Sequence, residues 1–306
     1  MRRYIAMPWA VSAFRTQPGE LPRTLEVVKI DTFPDGETAI TLPDIGQDDD
    51  VVLIGSCPDA LSSESFLAAA YEVAHVGPAR FTVANLYFRN ARCERKFGNQ
   101  AILAKFQARL WSGLGSIYPK VRLVFLHLHN DLALNYFEGP VRVSNVPGFE
   151  YLESKIPALW GTLTNPVYAT VDHGGVHETR KLADAHAGRV GFAHIDKKRL
   201  SGTETEVREV HGDVAGCDVV IFDDMISTGG SLIKAAQAYK DRGARRVLAV
   251  AVHGLFVNGA LAKLPHSAVD GILVTNSHPQ AMYAAELADG FIRVVNLEPD
   301  FLVPEK

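Results

Sequence analysis

Cysteine is scarce in this chain: Cys57, Cys93 and Cys217 are the only three among 306 residues. They stand far apart and have neither disulfide nor metal-ligand spacing, which suits a reducing compartment. A cytoplasmic location is therefore expected. No apolar run approaches the ~20 residues that a membrane helix needs, so no membrane partner is expected. Neither sign of charge dominates. The 31 Lys and Arg residues against 35 Asp and Glu leave a net charge of −4. A generally basic nucleic-acid surface is not indicated, although a local basic site stays open. Two phosphate-binding motifs are also missing. There is no G-x-x-x-x-G-K-[ST] loop and no G-x-G-x-x-G fingerprint. Short repeats and low-complexity segments are absent as well. At the N-terminus, two arginines precede an apolar stretch, as in a signal peptide. Pro8 interrupts that stretch and no small-residue cleavage site follows, so "RYIAM" reads better as a first strand.

What is present is an alternation. At 306 residues, 47% of them hydrophobic, the chain is long enough for two domains. Apolar runs such as "VVLIGS" (51–56), "RFTVANLYF" (80–88) and "VRLVFLHLHND" (121–131) alternate with helical stretches. The second half repeats the rhythm with "PVYATVDHGG", "VGFAHID", "DVVIFDD", "RRVLAVAVHG" and "GILVTNS". Continuous apolar strands with crossover helices indicate parallel sheets covered on both faces. The expected class is α/β, two domains, each a mostly parallel sheet flanked by helices. Proline and glycine break the pattern near "SNVPGFEYLESK". The expected division is 1–146, 147–285, and a segment 286–306 returning to the N-terminal domain.

The stretch "VVIFDDMISTGGSLIKAAQAYKDRGARRVLAV" (219–250) carries the clearest chemistry. Ligands of open parallel sheets bind beyond the carboxyl ends of strands. Asp223 and Asp224 are expected at such an end, with a loop to Gly230 and a helix from Ser231. Gly229 and Gly230 let backbone N–H groups turn toward an anion, and the helix N-terminus adds unpaired donors. Thr228 and Ser231 add hydroxyls. The loop suits a phosphate, while the acids suit sugar hydroxyls or a hydrated Mg²⁺. Together they describe a ribose 5-phosphate site. The plain alternative is a capped helix with exposed acids.

With those residues in view, the chain resembles the ribose-phosphate diphosphokinases, also called PRPP (phosphoribosyl diphosphate) synthetases, from about Asp31 to near Ser277. Type I phosphoribosyltransferases share the "DDMISTGGS" loop. "DTFPDGET" is similar to the synthetase adenine-binding segment and "YFRNARCERK" to its basic ATP loop. "LHLHNDLALNYFEGPV" looks like its metal-histidine segment, "VDHGGVHETRKLA" its diphosphate loop and "HIDKKR" its catalytic flap. The resemblance implies two domains of phosphoribosyltransferase type, an N-terminal ATP-site domain and a C-terminal domain for ribose 5-phosphate. It implies ATP and ribose 5-phosphate as substrates, PRPP and AMP as products, Mg²⁺ as cofactor, and assembly as a homo-oligomer, either dimer or hexamer. Nucleic acid and membrane are not expected partners.

The resemblance also assigns roles. Lys197 and Arg199 match the catalytic pair, next to a flap "LSGTETE"; a basic triplet is otherwise a solvated turn. Phe33 would stack on adenine, and Asp35 and Glu37 would accept its amino group or the ribose. Arg92, Cys93 and Arg95 match the ATP loop, which composition alone would leave as a basic surface loop. Asp172 with Gly174 and Gly175 matches the diphosphate loop, Asp172 also holding metal; its plain reading is a capping residue. His129 matches the Mg²⁺-site histidine, directly or through water, and would share one strand face with His127. Asp223, Asp224, Ser227, Thr228, Gly229, Gly230 and Ser231 form the ribose 5-phosphate site.

Three departures stand out. Ser227 occupies the place of a third acid, Cys93 that of a glutamine, and the usual N-terminal Ser-Gly-Asn segment is missing. Other readings are a PRPP-consuming phosphoribosyltransferase, a non-catalytic regulatory paralogue, and a diphosphokinase with another sugar substrate.

Overall fold

The computed structural model describes residues 2–10, 25–199 and 205–303. The chain divides into two compact units. The first is Met1–Pro147 with Ser277–Pro279 and Asn296–Lys306. The second is Gly148–Asn276 with Gln280–Val295.

The first unit contains β1 (Arg2–Ala6), β2 (Leu25–Val27), β3 (Lys29–Thr32), β4 (Thr38–Thr41), β5 (Asp50–Gly55), α1 (Ala60–Val76), β6 (Arg80–Asn85), α2 (Leu103–Ser112), α3 (Leu114–Ile117), β7 (Arg122–Leu126) and β8 (Arg142–Val146). Its sheet has the order β2-β1-β5-β6-β7-β8 and is parallel throughout. Parallel strands covered on both faces read as near-continuous apolar runs. In β5 every residue is buried. Asp50, at the amino end of β5, is held by Arg2 at 3.1 Å and Arg80 at 2.8 Å. The N-terminus of α1 is capped by Asp59, which accepts the Ser62 N–H at 2.8 Å. β3 and β4 form a separate antiparallel hairpin.

The second unit contains α4 (Phe149–Trp160), β9 (Val167–Thr170), α5 (Val176–Asp184), β10 (Gly191–Arg199), β11 (Thr205–His211), β12 (Asp218–Ile226), α6 (Gly230–Asp241), β13 (Arg246–Gly254), α7 (Ala260–Lys263), β14 (Gly271–Thr275), α8 (Pro279–Leu287) and β15 (Ile292–Val295). The sheet order is β11-β10-β9-β12-β13-β14-β15. All neighbours are parallel except β10 and β11, which pair antiparallel. The buried face of α6 presents Leu232, Ala235, Ala236 and Tyr239, the i, i+3, i+4, i+7 spacing of an apolar stripe.

Two expectations need correction. The acids were expected at the end of their strand, but β12 runs on to Ile226. Met225 and Ile226 continue the ladder with His253 and Gly254 of β13 and are buried. Their burial outweighs the break in apolar pattern at the two carboxylates. The following helix starts at Gly230, one residue earlier than expected. Secondly, β7 ends at Leu126. His127 turns out of the strand with φ +45°, so His127 and His129 do not share a strand face.

Candidate active site

In the second sheet the chain leaves β9 through α5 to β10 on one side, whereas β12 lies on the other. Strands β9 and β12 therefore flank a switch point in strand order, where open α/β sheets bind ligands beyond the carboxyl ends. Two loops sit there, residues 171–175 after β9 and 227–229 after β12.

The first loop is tied down by hydrogen bonds. Asp172 accepts the Gly174 N–H at 2.9 Å, and the Thr170 hydroxyl donates to the Asp172 carbonyl at 2.7 Å. From α6, the Tyr239 hydroxyl donates to the Thr170 carbonyl at 2.9 Å in a fully buried bond. The helix after one loop thus anchors the other. Sequence reasoning missed Tyr239 because its spacing marks it only as a core position. Nothing in the pattern shows that its hydroxyl reaches a neighbouring strand.

The last registered pair of β9 and β12 is Thr170 with Phe222. Beyond that pair Asp172 lies in the loop after β9, while Asp223 and Asp224 lie on β12. Burial, then the neighbouring Asp224 and then Asp172, push the Asp223 carboxyl well above the usual carboxylate range. The Asp224 N–H donates to Asp223 Oδ1 at 3.0 Å, which partly offsets this. The structure therefore brings three predicted acids together as one electrostatic unit.

The second loop supplies the opposite polarity. Gly229 has φ +74° and ψ −4°, the left-handed region that glycine tolerates. A Cβ there would also lie 3.0 Å from Leu264 Cδ2. The Gly229 carbonyl accepts the Ile233 N–H at 2.9 Å, the first bond of α6. The N–H groups before it have no partner within the helix and carry its partial positive charge. Thr228, Gly230 and Ser231 are exposed. Behind the loop, the Ser227 carbonyl accepts the Val257 N–H at 3.0 Å, and the Ile226 carbonyl accepts those of Leu255 and Phe256 at 2.9 and 3.1 Å.

Lys197 and Arg199 lie on β10, opposite Val207 and Thr205 of β11. They belong to an antiparallel arm rather than to a turn after a strand. The register shifts between Asp196 and Lys197. The side chains of both basic residues, and residues 200–204 of the expected flap, lie outside the described residues. The last two flap residues, Thr205 and Glu206, begin β11.

In the first unit, Phe33, Asp35 and Glu37 occupy the tip of the β3–β4 hairpin. The Phe33 N–H donates to the Glu37 carbonyl at 2.7 Å, and the Glu37 N–H donates to Asp35 Oδ1 at 3.1 Å. Phe33 is 54% exposed. Arg92, Cys93 and Arg95 lie in the loop after β6. The Cys93 N–H donates to Asn90 O at 2.9 Å, and the Cys93 carbonyl accepts the Ala104 N–H at 3.2 Å. Arg95 Nε lies 3.5 Å from Glu94. His129, exposed, follows β7. As β6 and β7 are parallel neighbours, the arginine loop and His129 leave the same edge of the first sheet. Cys57, by contrast, is buried, and burial pushes its thiol up to about 12. Burial thus favours its uncharged thiol over the nucleophilic thiolate.

A family model described as phosphoribosyl synthetase-associated domain matches residues 199–295. The chain is 35% identical to a ribose-phosphate pyrophosphokinase of Vibrio cholerae over 254 residues, 81% of this chain and 77% of that one. The chain belongs to the ribose-phosphate pyrophosphokinase family. Another family member, from Helicobacter hepaticus, is 32% identical over 287 residues, covering 91% of this chain and 86% of its own. The fold agrees with this membership. A phosphoribosylpyrophosphate synthetase crystal structure from Mycobacterium smegmatis superposes with a TM-score of 0.75 at 23% identity, covering 96% of this chain and 94% of that one.

Proposed function

We propose that this pyrophosphokinase-family chain transfers the diphosphoryl group of Mg-ATP to the anomeric hydroxyl of ribose 5-phosphate, giving PRPP and AMP. The observation that carries the reading is the pairing of opposite polarities at the β9–β12 switch point. Asp223 and Asp224 offer acceptors for a sugar diol, and five residues later the left-handed Gly229 opens an amide cradle for the 5-phosphate.

The sugar's anomeric oxygen attacks the β-phosphorus in line. A new P–O bond forms as the bond between that phosphorus and the α–β bridging oxygen breaks, and AMP leaves with the bond's electrons. The attacking hydroxyl gives up its proton to solvent. No covalent enzyme intermediate is needed, so the chain's work is positioning and charge neutralisation. Asp223 and Asp224 orient the diol. Residues 227–231 hold the 5-phosphate through hydroxyls and backbone N–H groups. Residues 172–175 wrap the transferred diphosphate, with Gly174 and Gly175 allowing close backbone approach. Lys197 and Arg199 offset the charge growing on the diphosphoryl group and on departing AMP. Phe33 stacks on adenine, Asp35 and Glu37 accept from the nucleoside, and Arg92 and Arg95 meet the phosphates, with Cys93 lining the same loop.

The residues suit Mg²⁺. Burial, and then the neighbouring Asp224 and Asp172, drive Asp223 toward its protonated form, and the three carboxyls offer the oxygen donors this cation prefers. Asp172 would hold it in the second unit, and His129, directly or through water, is the candidate metal ligand of the first. When bound, it would supply positive charge to the ATP phosphates. A homo-oligomer, dimer or hexamer, fits the same reading, since the exposed Phe33 at a hairpin tip suits an adenine site completed by a second copy. Among the described residues no helix is long and apolar enough to cross a membrane; a cytoplasmic site of action is part of the proposal.

Ser227 favours one further reading, a transferase that consumes PRPP, because it removes an acid near the reacting end of the sugar. One experiment separates the two. Purified protein with Mg²⁺, ATP and a panel of sugar phosphates should release AMP with ribose 5-phosphate. Diphosphate release from PRPP with a base, and no AMP from ATP, would establish the transferase instead. Turnover with neither would leave a non-catalytic paralogue.

A further inference from the structure

The root of the β10–β11 arm carries a second cluster of ligating side chains. His194 stands directly opposite His211, and Asp196 directly opposite Glu209. Successive side chains of a strand alternate, so residues two apart share a face. His194, Asp196, His211 and Glu209 thus form a two-by-two array on one face of the arm. Directly opposed residues on antiparallel strands have Cβ atoms ~4.5–5.5 Å apart, close enough to share one ion. The side chains use that proximity. The two imidazole rings lie 4.7 Å apart at 17°. His211 Nε2 is 3.1 Å from Asp196 Oδ2 and 3.9 Å from Glu209 Oε2. One ligand atom each from His194, Asp196 and His211 falls within 4.8 Å of the others.

We propose that His194, Asp196 and His211 form a binding site for a divalent transition-metal ion of the zinc class, clamping the two strands of this arm. Two imidazoles and a carboxylate are the donor set such ions prefer, and they differ from the oxygen-rich set at Asp172, Asp223 and Asp224 that suits Mg²⁺. The geometry needs little change. A tetrahedral ion ~2.1 Å from each donor holds donors about 3.4 Å apart. The Asp196–His211 pair is already at 3.1 Å. Only the stacked imidazoles must splay, and His194 and His211 are half-buried at an accessible surface. Glu209 or water completes the shell. The site is separate from the cradle at residues 227–231. It lies on the strand that continues into Lys197 and Arg199, immediately before the register shift at Asp196/Lys197.

The test is calorimetric titration of the full chain with Zn²⁺ in excess Mg²⁺, which keeps the oxygen-ligated site filled. One zinc per chain should bind. The His194→Ala, His211→Ala double variant should lose at least about a hundredfold in affinity, more than the ~10–100-fold that loss of an outer partner costs. His129→Ala should keep the event unchanged. If the double variant fails to fold by circular dichroism, Asp196→Asn, which keeps the side-chain shape at an exposed position, takes its place with a loss of about tenfold or more. As a second readout, zinc should slow hydrogen exchange at the backbone amides of β10 and β11 and nowhere else in the second unit. Absence of zinc binding, wild-type affinity in the variants, loss of the event in His129→Ala, or protection confined to residues outside this arm would each overturn the proposal.

Discussion

Replacing Gly229 by alanine tests the phosphate cradle most directly, because two separate penalties meet there. The first is conformational. At φ +74° an L-residue has its Cβ against its own carbonyl, which costs about 1–2 kcal/mol. The second is steric. The new Cβ would lie 3.0, 3.1 and 3.3 Å from the Cδ2, Cγ and Cδ1 atoms of Leu264, which is fully buried and has little room to yield. Overpacking of that kind costs about 1–3 kcal/mol. The sum is about 2–5 kcal/mol, or roughly 4–20 °C in the melting midpoint at ~2–4 °C per kcal/mol. A shift of the loop would relieve part of the strain and move the N–H groups off the phosphate. Since 1.4 kcal/mol is a factor of ten, a rise of at least about tenfold in the KM for ribose 5-phosphate is expected. The assay is AMP release at varied sugar phosphate, alongside thermal unfolding. Gly230→Ala is the control. There a Cβ would meet only Thr228 Oγ1 at 3.7 Å, an ordinary contact. It should melt close to the wild type, with any effect confined to KM. A Gly229→Ala protein with unchanged melting and unchanged KM, or a control that is the more damaging of the two, would refute the reasoning.

Three further outcomes are expected. Lys197→Ala should lower kcat by about a hundredfold or more, the scale of losing one preorganised charge, and normal turnover at saturating substrates would remove the residue from the mechanism. Asp223→Asn addresses pH. A carboxyl whose folded pKa is raised holds its proton more tightly folded than unfolded, so stability falls as pH rises from the ordinary Asp value of about 3.9 through the raised folded value. The Mg²⁺-free variant lacks that fall and should gain stability over the wild type as pH rises through this window, and parallel melting curves across pH would contradict it. Tyr239→Phe removes the bond to the Thr170 carbonyl and should cost about 1 kcal/mol in urea unfolding; an unchanged midpoint would show that the bond does not anchor the loop.

The parallel strands were legible because burial on both faces writes itself as an apolar run, as in "VVLIG" of β5 and "RVLAVAVHG" of β13. The hairpin tip at Phe33–Glu37 was legible as a turn from Pro-Asp-Gly. The extension of β12 through Met225 and Ile226 was not, because two adjacent acids look like an ending, and only pairing with β13 reveals that the strand continues. His127 and His129 were misplaced for a related reason. Alternation assumes a strand, and nothing local announces that the backbone turns at His127. The partnership of His194 with His211 was wholly hidden. It depends on an antiparallel register between segments separated by residues outside the described set, and "HID" and "EVH" carry no sign of each other. The acid cluster lay between these cases. Asp223 and Asp224 were recognised as a pair and Asp172 apart from them, and the proximity of Asp172 to the pair arises from strand order.

The first strand is fastened by the far end of the chain. Arg2 Nη1 donates to the Val303 carbonyl at 2.9 Å, and the Tyr4 hydroxyl donates to Asp300 at 2.7 Å. Strand β1 must therefore wait for residues up to 301 positions later in the chain before its unit is complete. A nascent chain can assemble the second sheet while the first still lacks its closing stitches, so of the two units the one begun before the other is also finished after it.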